Sequence, residues 1–415
     1  MLSSRGLLRP VFLGSVLVAG CADPPQNDTS EAVEVEQGSS RYFVDCGAAV
    51  SGDGSASRPW RSLAAVNEHP FAAGERLLFK RGTTCEGSLN PRGSGAAGAP
   101  VVIDSFGDGP LPVIDARDRE YALRLANQSY WEIRNIETTG GTRYGVFATV
   151  DAGVSEHIHL RDIVVHDVYG QPPDSKNTGL VVVSPTHDQV NSTGARFNDV
   201  LLDNVTAYNT NQWAGILVGT GTAADGWASN VDLRSSNVTV RNATVHDTYG
   251  DGIVLFAVND GLIEHSVAYR TGLEPTETIG TPNAIWTWSC MNCTVQYNEA
   301  FDNHSPGVDG GAFDIDWGST NTIVQYNFGH RNDAYCIAIP ERVPGSSIPT
   351  CPPTWRSFST TTAGGRSRRS RRIATATTSG RPCATTRGLI AAASTCTSSP
   401  AGTSSRSTGW WWRAI

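Results

Sequence analysis

The chain has 415 residues, with 43 glycines, 40 acidic and 32 basic side chains and a net charge of −8. That length holds one large core or two domains, and frequent glycine with sparse helix formers excludes a helical bundle in favour of an all-β or solenoid protein. Lysine occurs only as Lys80 and Lys176, so the basic charge is arginine.

The amino terminus reads as an export signal. Arg5 and Arg9 precede the apolar run 11–19, which is too short to span a bilayer as a stable helix. The run ends Leu17-Val18-Ala19-Gly20-Cys21, which resembles the bacterial lipobox. That resemblance implies a leader over 1–21, acylation of Cys21 and a membrane-anchored product; an ordinary signal peptide with a chance cysteine is the alternative. Residues 22–40 are polar and acidic without periodicity, the pattern of a tether.

Residues 41–116 form an entry module. The segment RYFVDCGAAVSGDGSASRPWRSLAAVNEHPFAAGERLLFKRGTTCEGSL resembles the amino-terminal cap of secreted right-handed parallel β-helix proteins, with Glu75 in place of that family's usual Asp. Cys46 and Cys85 flank this first folded segment in an exported chain, where a disulfide is permitted. Cys290 and Cys293 form a CxxC unaccompanied by a second CxxC or a His pair. They are therefore expected as a local disulfide or two thiols rather than a zinc site.

An internal repeat then runs through 117–341. Alternating strands carry a polar residue at a recurring turn position: Asn135, Asp162, Asn204, Asn242, His265, Asn298 and Asn327, at intervals of 23 to 42 residues. Such residues suit a ladder of turn formers. After most repeats comes a second strand opened by a small residue: Gly145, Gly179, Gly215, Gly252, Ala284 and Ala312. No such strand buries its apolar face alone, and stacked parallel coils make one continuous core. The whole stretch resembles the right-handed parallel β-helix of the pectin-lyase-like superfamily. That fold hosts lyases, hydrolases, esterases and phage spikes, so function must be sought in the site.

The last segment differs. From Arg342 onward eleven arginines meet no acid, leaving 21 basic and 40 acidic side chains before it, a net −19. Its WWW triplet (Trp410–Trp412) requires TGG codons that a shifted frame turns into Gly-Gly or Val-Val. An irregular, frameshifted tail over 342–415 is expected, with a polyanion-binding tail as the alternative. No nucleic-acid partner is expected.

The chemistry concentrates in NAIWTWS and DGGAFDID. Strand alternation places Trp286 and Trp288 on one face, and Asp314 and Asp316 on one face a coil later, with Cα atoms roughly 6.6 Å apart within each pair. Asp309 lies in the turn before them, and Asp251 in the turn before the Val254 and Phe256 positions of the preceding coil. His330 and Arg331 follow in the next turn. Indoles stack on the C–H face of a sugar while carboxylates bind its hydroxyls, so the expectation is a polysaccharide site on the outer face. Asp314, Asp316 and Asp309 are the catalytic candidates; Trp286, Trp288, Asp251, His330 and Arg331 are the substrate-binding candidates. A glycoside hydrolase needs two such acids. In a lyase Asp314 and Asp316 would instead hold Ca²⁺, and the absence of lysine from this region leaves Arg331 or Arg270 as base. Polygalacturonase motifs and the Asn-Lys-Ser pattern of alginate-lyase-like relatives are absent, so no catalytic assignment carries over. A non-catalytic glycan-binding surface module remains the third possibility. A monomer is expected.

Overall fold

Where apolar and polar residues alternate, each strand buries one row of side chains and leaves the other row outside. In the computed structural model this pattern closes into coils that stack in register. The structure describes residues 40–173, 176–186, 193–220, 233–273, 282–305 and 309–339, and short strands at 372–373, 390–391 and 395–397. One sheet has nineteen strands, a second has nine, and a two-stranded sheet joins Pro70–Phe71 to Arg92–Gly93. Successive coils pair in parallel, as between Val154–Val168 and Arg196–Thr210, or Ile253–Phe256 and Ile285–Trp288. This is an all-β parallel β-helix. Its interior is one continuous apolar column that includes Phe79, Trp131, Phe197 and Phe313. No described helix is long and apolar enough to cross a membrane.

The entry module caps this column. Strand Arg41–Val44 pairs with Arg76–Lys80, and helix Leu63–Glu68 buries Leu63 and Val66. Glu75 accepts from the Tyr42 hydroxyl at 3.2 Å and the Ala72 amide at 3.0 Å, so its carboxylate ties the first strand to the turn below it. Cys46 and Cys85 form the expected disulfide, closing a loop with a sequence separation of 39. Cys290 and Cys293 are buried free thiols, the second of the two alternatives.

At the corners the backbone turns through left-handed residues. Asn135, Asp162, Asn204, Asn242 and His265 have φ between 50° and 55°, and Asn204 Nδ2 donates to Asp162 Oδ1 at 2.7 Å. Asn and Asp tolerate this conformation better than most residues. Two positions of the expected ladder are corrected. In the last two coils Tyr297 and Tyr326 take the left-handed place, stacking ring on ring at 5.2 Å. Asn298 and Asn327 lie one residue later and are buried. There Asn298 donates through Nδ2 to the Ile263 carbonyl (3.0 Å), and Asn327 to the Val295 carbonyl (2.8 Å), partnering backbone groups that the turn would otherwise strand.

The nine-stranded sheet is apolar on both sides. Runs such as GLVVV, AGILVG and IVLF are buried at every position, as expected of strands covered on both faces. Inward residues join the main column. Outward Val182, Leu217, Val254, Phe256 and Trp286 form a second cluster with Tyr144, Trp213 and Tyr249. The small-residue series holds except at Gly179, which pairs with Tyr144 and Ala214. The equivalent of Gly145 is Leu180, because this strand carries one extra residue between its glycine and the shared valine row. Beyond 339, the strands at 390–391 and 395–397 add in parallel to the last coil, and the strand at 372–373 pairs antiparallel. The rest of the segment 342–415, like residues 1–39, lies outside the described residues.

Candidate active site

Three coils of the nine-stranded sheet converge on one buried polar cluster. Their registers place Val254 beside Trp286, and Trp286 beside Asp314. The expected neighbourhood of indole and carboxylate is therefore present. Asp314 does not face water, however: it is 1% exposed. Its outward direction leads into the second apolar cluster rather than into solvent, which corrects the expectation of two solvated aspartates. Only Asp316, at the open end of the strand, is half-buried, with its Oδ1 accepting from the Trp317 amide at 2.8 Å.

Asn283 is the hub. Its Nδ2 donates to Asp314 Oδ2 at 3.1 Å, and its backbone N–H donates to Asp251 Oδ1 at 3.0 Å. Its Oδ1 accepts from the Gly311 amide at 3.1 Å and lies 2.9 Å from the Tyr335 hydroxyl. The same hydroxyl is 2.8 Å from Asp309 Oδ1, so its single proton serves one acceptor at a time. Tyr335 reaches both because Gly311 has no side chain: a Cβ there would meet the Tyr335 ring at 2.1 Å. Asp309 is itself buried, with its backbone in the left-handed region at φ 78°. Strain of this kind gathers where a side chain must be held in one direction.

Asp251 lies deepest. It is fully buried, and Trp213 donates its indole N–H to Oδ2. Burial pushes this carboxyl up to about 6, against the opposing pull of the Lys176 charge and of the N–H groups around it. The Lys176 ammonium sits over both indoles, 4.7 Å from the Trp213 ring and 5.1 Å from Trp286, a geometry in which the ring quadrupole attracts the cation. Carboxylates, an ammonium and two indoles thus share one site of low dielectric. Such a place can shift proton affinities and grip a polar ring.

Asp251, Asp309, Asp314 and Trp286 come together as expected. Trp288 packs at the margin, edge-on to Phe256 with centroids 5.5 Å apart. His330 and Arg331 do not join the site; both belong to the nineteen-stranded sheet side. His330 Nε2 meets Glu299 at 2.8 Å and Arg331 pairs with Asp302 at 2.7 Å. Arg270 is likewise committed to Asp247 at 2.6 Å. These turn residues follow the strand in sequence but leave around the corner onto another face. The structure also brings in a lysine where none was expected. Lys176 enters from the segment before Gly179–Val183, three coils earlier, and no periodicity marks it. Trp213 and Tyr335 were missed for the same reason. Asn283 was legible, since it occupies the position of Asp251 one coil on.

No protein-family model matches the sequence. A lacto-N-biosidase of Bifidobacterium longum subsp. longum is 24% identical over 380 residues, covering 69% of this chain and 24% of that protein. The chain therefore spans about a quarter of the length of that curated relative. The crystal structure of a GH136 lacto-N-biosidase from Eubacterium ramulus superposes with a TM-score of 0.63 at 23% identity, over 72% of this chain and 58% of that one. A pectate lyase structure gives a TM-score of 0.47 at 17% identity, over 75% of this chain and 73% of that one. The first of these structures shares the fold described above.

Proposed function

We propose that the protein is a glycoside hydrolase that binds a glycan at the outer face of the nine-stranded sheet. The observation that carries this is the cluster of Asp251, Asp309 and Asp314, buried around Asn283 beside the indoles of Trp213 and Trp286, with half-buried Asp316 two residues after Asp314. Hydrolysis of a glycosidic bond needs one carboxylic acid to protonate the leaving oxygen and a second carboxylate to attack C1 or to activate water. Asp309 and Asp314, screened from water, suit the acid. Asp316, in reach of solvent, suits the base or nucleophile. Asp251 stays behind them as a positioning group. The two lacto-N-biosidase matches support a hydrolase that acts on a glycan.

A polysaccharide lyase is the second reading, because Lys176 supplies a base beside the carboxylates. Assay on a polysaccharide panel separates the two: new reducing ends alone mean hydrolysis, whereas reducing ends with the ultraviolet absorbance of an unsaturated uronate mean elimination. In the lyase case the same carboxylates would hold Ca²⁺, and chelator should then silence the enzyme. Under the hydrolase proposal chelator has no effect, and Asn at the acid or at the base cuts turnover roughly 10²–10⁴-fold. The acid is recognised because its Asn variant keeps activity on an aryl glycoside whose leaving group needs no proton. Glycan binding without any cleavage would assign the site to an adhesion module instead.

Acylation of Cys21 would hold this site at the membrane on the exported side. Palmitate labelling that disappears in Cys21→Ser is the expected result; a freely soluble, unlabelled product refutes the anchor.

A further inference from the structure

On the outer face of the nineteen-stranded sheet, three successive coils bring Glu132, His157, His159 and Asp199 together. Glu132 is directly beside His159 in the parallel register. His157 has a left-handed backbone, φ 56°, which turns its ring out of the strand's alternation and onto that of His159, with centroids 3.7 Å apart.

Asp199 sits between the two imidazoles. Its Oδ2 is 2.7 Å from His157 Nδ1, and its Oδ1 is 2.9 Å from His159 Nε2. A carboxylate only accepts, so each neutral ring carries its proton on the nitrogen that faces Asp199. The lone pairs then lie on His157 Nε2 and His159 Nδ1. His157 Nε2 is 3.5 Å from Glu132 Oε1, a second acceptor. His159, 9% exposed, keeps Nδ1 buried without a hydrogen-bond partner. The other Glu132 oxygen turns toward Arg134, 3.8 Å away. One donor atom from each of Glu132, His157 and His159 lies within 4.8 Å of the others. Three ligand atoms this close together are spaced to share one cation.

We propose that Glu132, His157 and His159 bind a divalent transition-metal ion of the zinc class, with Asp199 orienting both imidazoles. Two neutral imidazoles and one carboxylate are a donor set that zinc accepts. A carboxylate on the far nitrogen of each ring is the usual outer partner of a metal-bound histidine. The side chains of Glu132 and His157 are 24% and 23% exposed, which leaves the ion a way in. The site bridges three coils, since Glu132 belongs to Trp131–Arg134, the histidines to Val154–Val168 and Asp199 to Arg196–Thr210. It stands on a different sheet from the candidate active site, so its role is to clamp coils together.

The test is zinc titration of the full chain, freed of any purification tag, by calorimetry and by thermal unfolding. One Zn²⁺ per chain is expected, with a midpoint that climbs as zinc is added and a Co²⁺ substitute that shows the visible bands of a low-symmetry site. His157→Asn, which keeps a residue suited to left-handed backbone, and Glu132→Gln should each weaken binding beyond the roughly 10–100-fold loss typical of an outer partner. Circular dichroism should show both variants folded. A wild-type chain that takes up no zinc overturns the proposal. Zinc held equally well by both variants overturns it too, by placing the ion at other ligands such as the Cys290–Cys293 pair.

Discussion

At the scale of single residues, burial separates aspartates that look alike in sequence. Asp251 is fully buried and its carboxyl is raised to about 6, above its ordinary value in the unfolded chain. A group raised on folding favours the native state below the unfolded value, and that contribution is lost as pH climbs through the folded value. Wild-type stability should therefore fall between about pH 4 and pH 6, by on the order of 3 kcal/mol for a shift of roughly two units. Asp251→Asn never ionises, but its single amide oxygen can accept from Trp213 or from the Asn283 amide and not from both. Its urea midpoint should be lower at acid pH, because one buried donor is left unpaired, and should stay flatter across that window; parallel curves for the two proteins would contradict the buried, titrating carboxyl. Asp314 and Asp316 differ in the same way. Asp316→Asn should change stability by no more than about 0.5 kcal/mol. Asp314→Asn disturbs a buried hydrogen bond to Asn283 and should cost about 1–3 kcal/mol. Equal effects would mean that Asp314 is in contact with solvent.

Elements obey alternation, and here it is legible without a structure. Ile285, Phe313 and Ile315 face the main column while Trp286 and Asp314 face outward, as the two-residue period requires. Phe313 is fully buried, so Phe313→Ala should lower stability by roughly 3–5 kcal/mol in denaturant unfolding, through lost transfer energy and a cavity. A change under 1 kcal/mol would reverse the inside and outside of this strand. Trp286→Ala is no pure binding variant, because the indole is part of the second apolar cluster and its loss also removes packing. What the pattern did not disclose is register at strand entries. The extra residue after Gly179, and the Tyr297–Asn298 and Tyr326–Asn327 pairs, shift a polar or small residue by one place without altering the alternation around it.

For the whole molecule, a solenoid has contacts only between neighbouring coils, so its ends need closing. At the amino end the Cys46–Cys85 bridge closes a loop of 39 residues, a restriction of the unfolded chain worth about 4 kcal/mol on the loop-entropy account. Reduction, or Cys46→Ser with Cys85→Ser, should lower the unfolding midpoint. At the other end, the proposed frameshift before residue 350 would show as an extra or missing base on resequencing the gene. A confirmed frame makes 342–415 a genuine part of the protein.

Local chemistry was enough to determine much of this protein. Turn residues that tolerate left-handed backbone, strands of period two and doubly apolar runs specify a stack of parallel coils, because each depends only on neighbours in the chain or on one coil above and below. The pairing of Trp286 with Asp314 follows from that stacking alone. Tertiary structure decided the rest. Lys176 reaches Trp213 from one coil away and Trp286 from three, Tyr335 passes over Gly311 to Asp309, and the His330–Arg331 turn leaves onto another face. The outward side of the nine-stranded sheet became an interior, so Asp251 and Asp314 lost the water that alternation would have left them. Dielectric is a property of everything packed around a group, and a linear pattern carries no record of it.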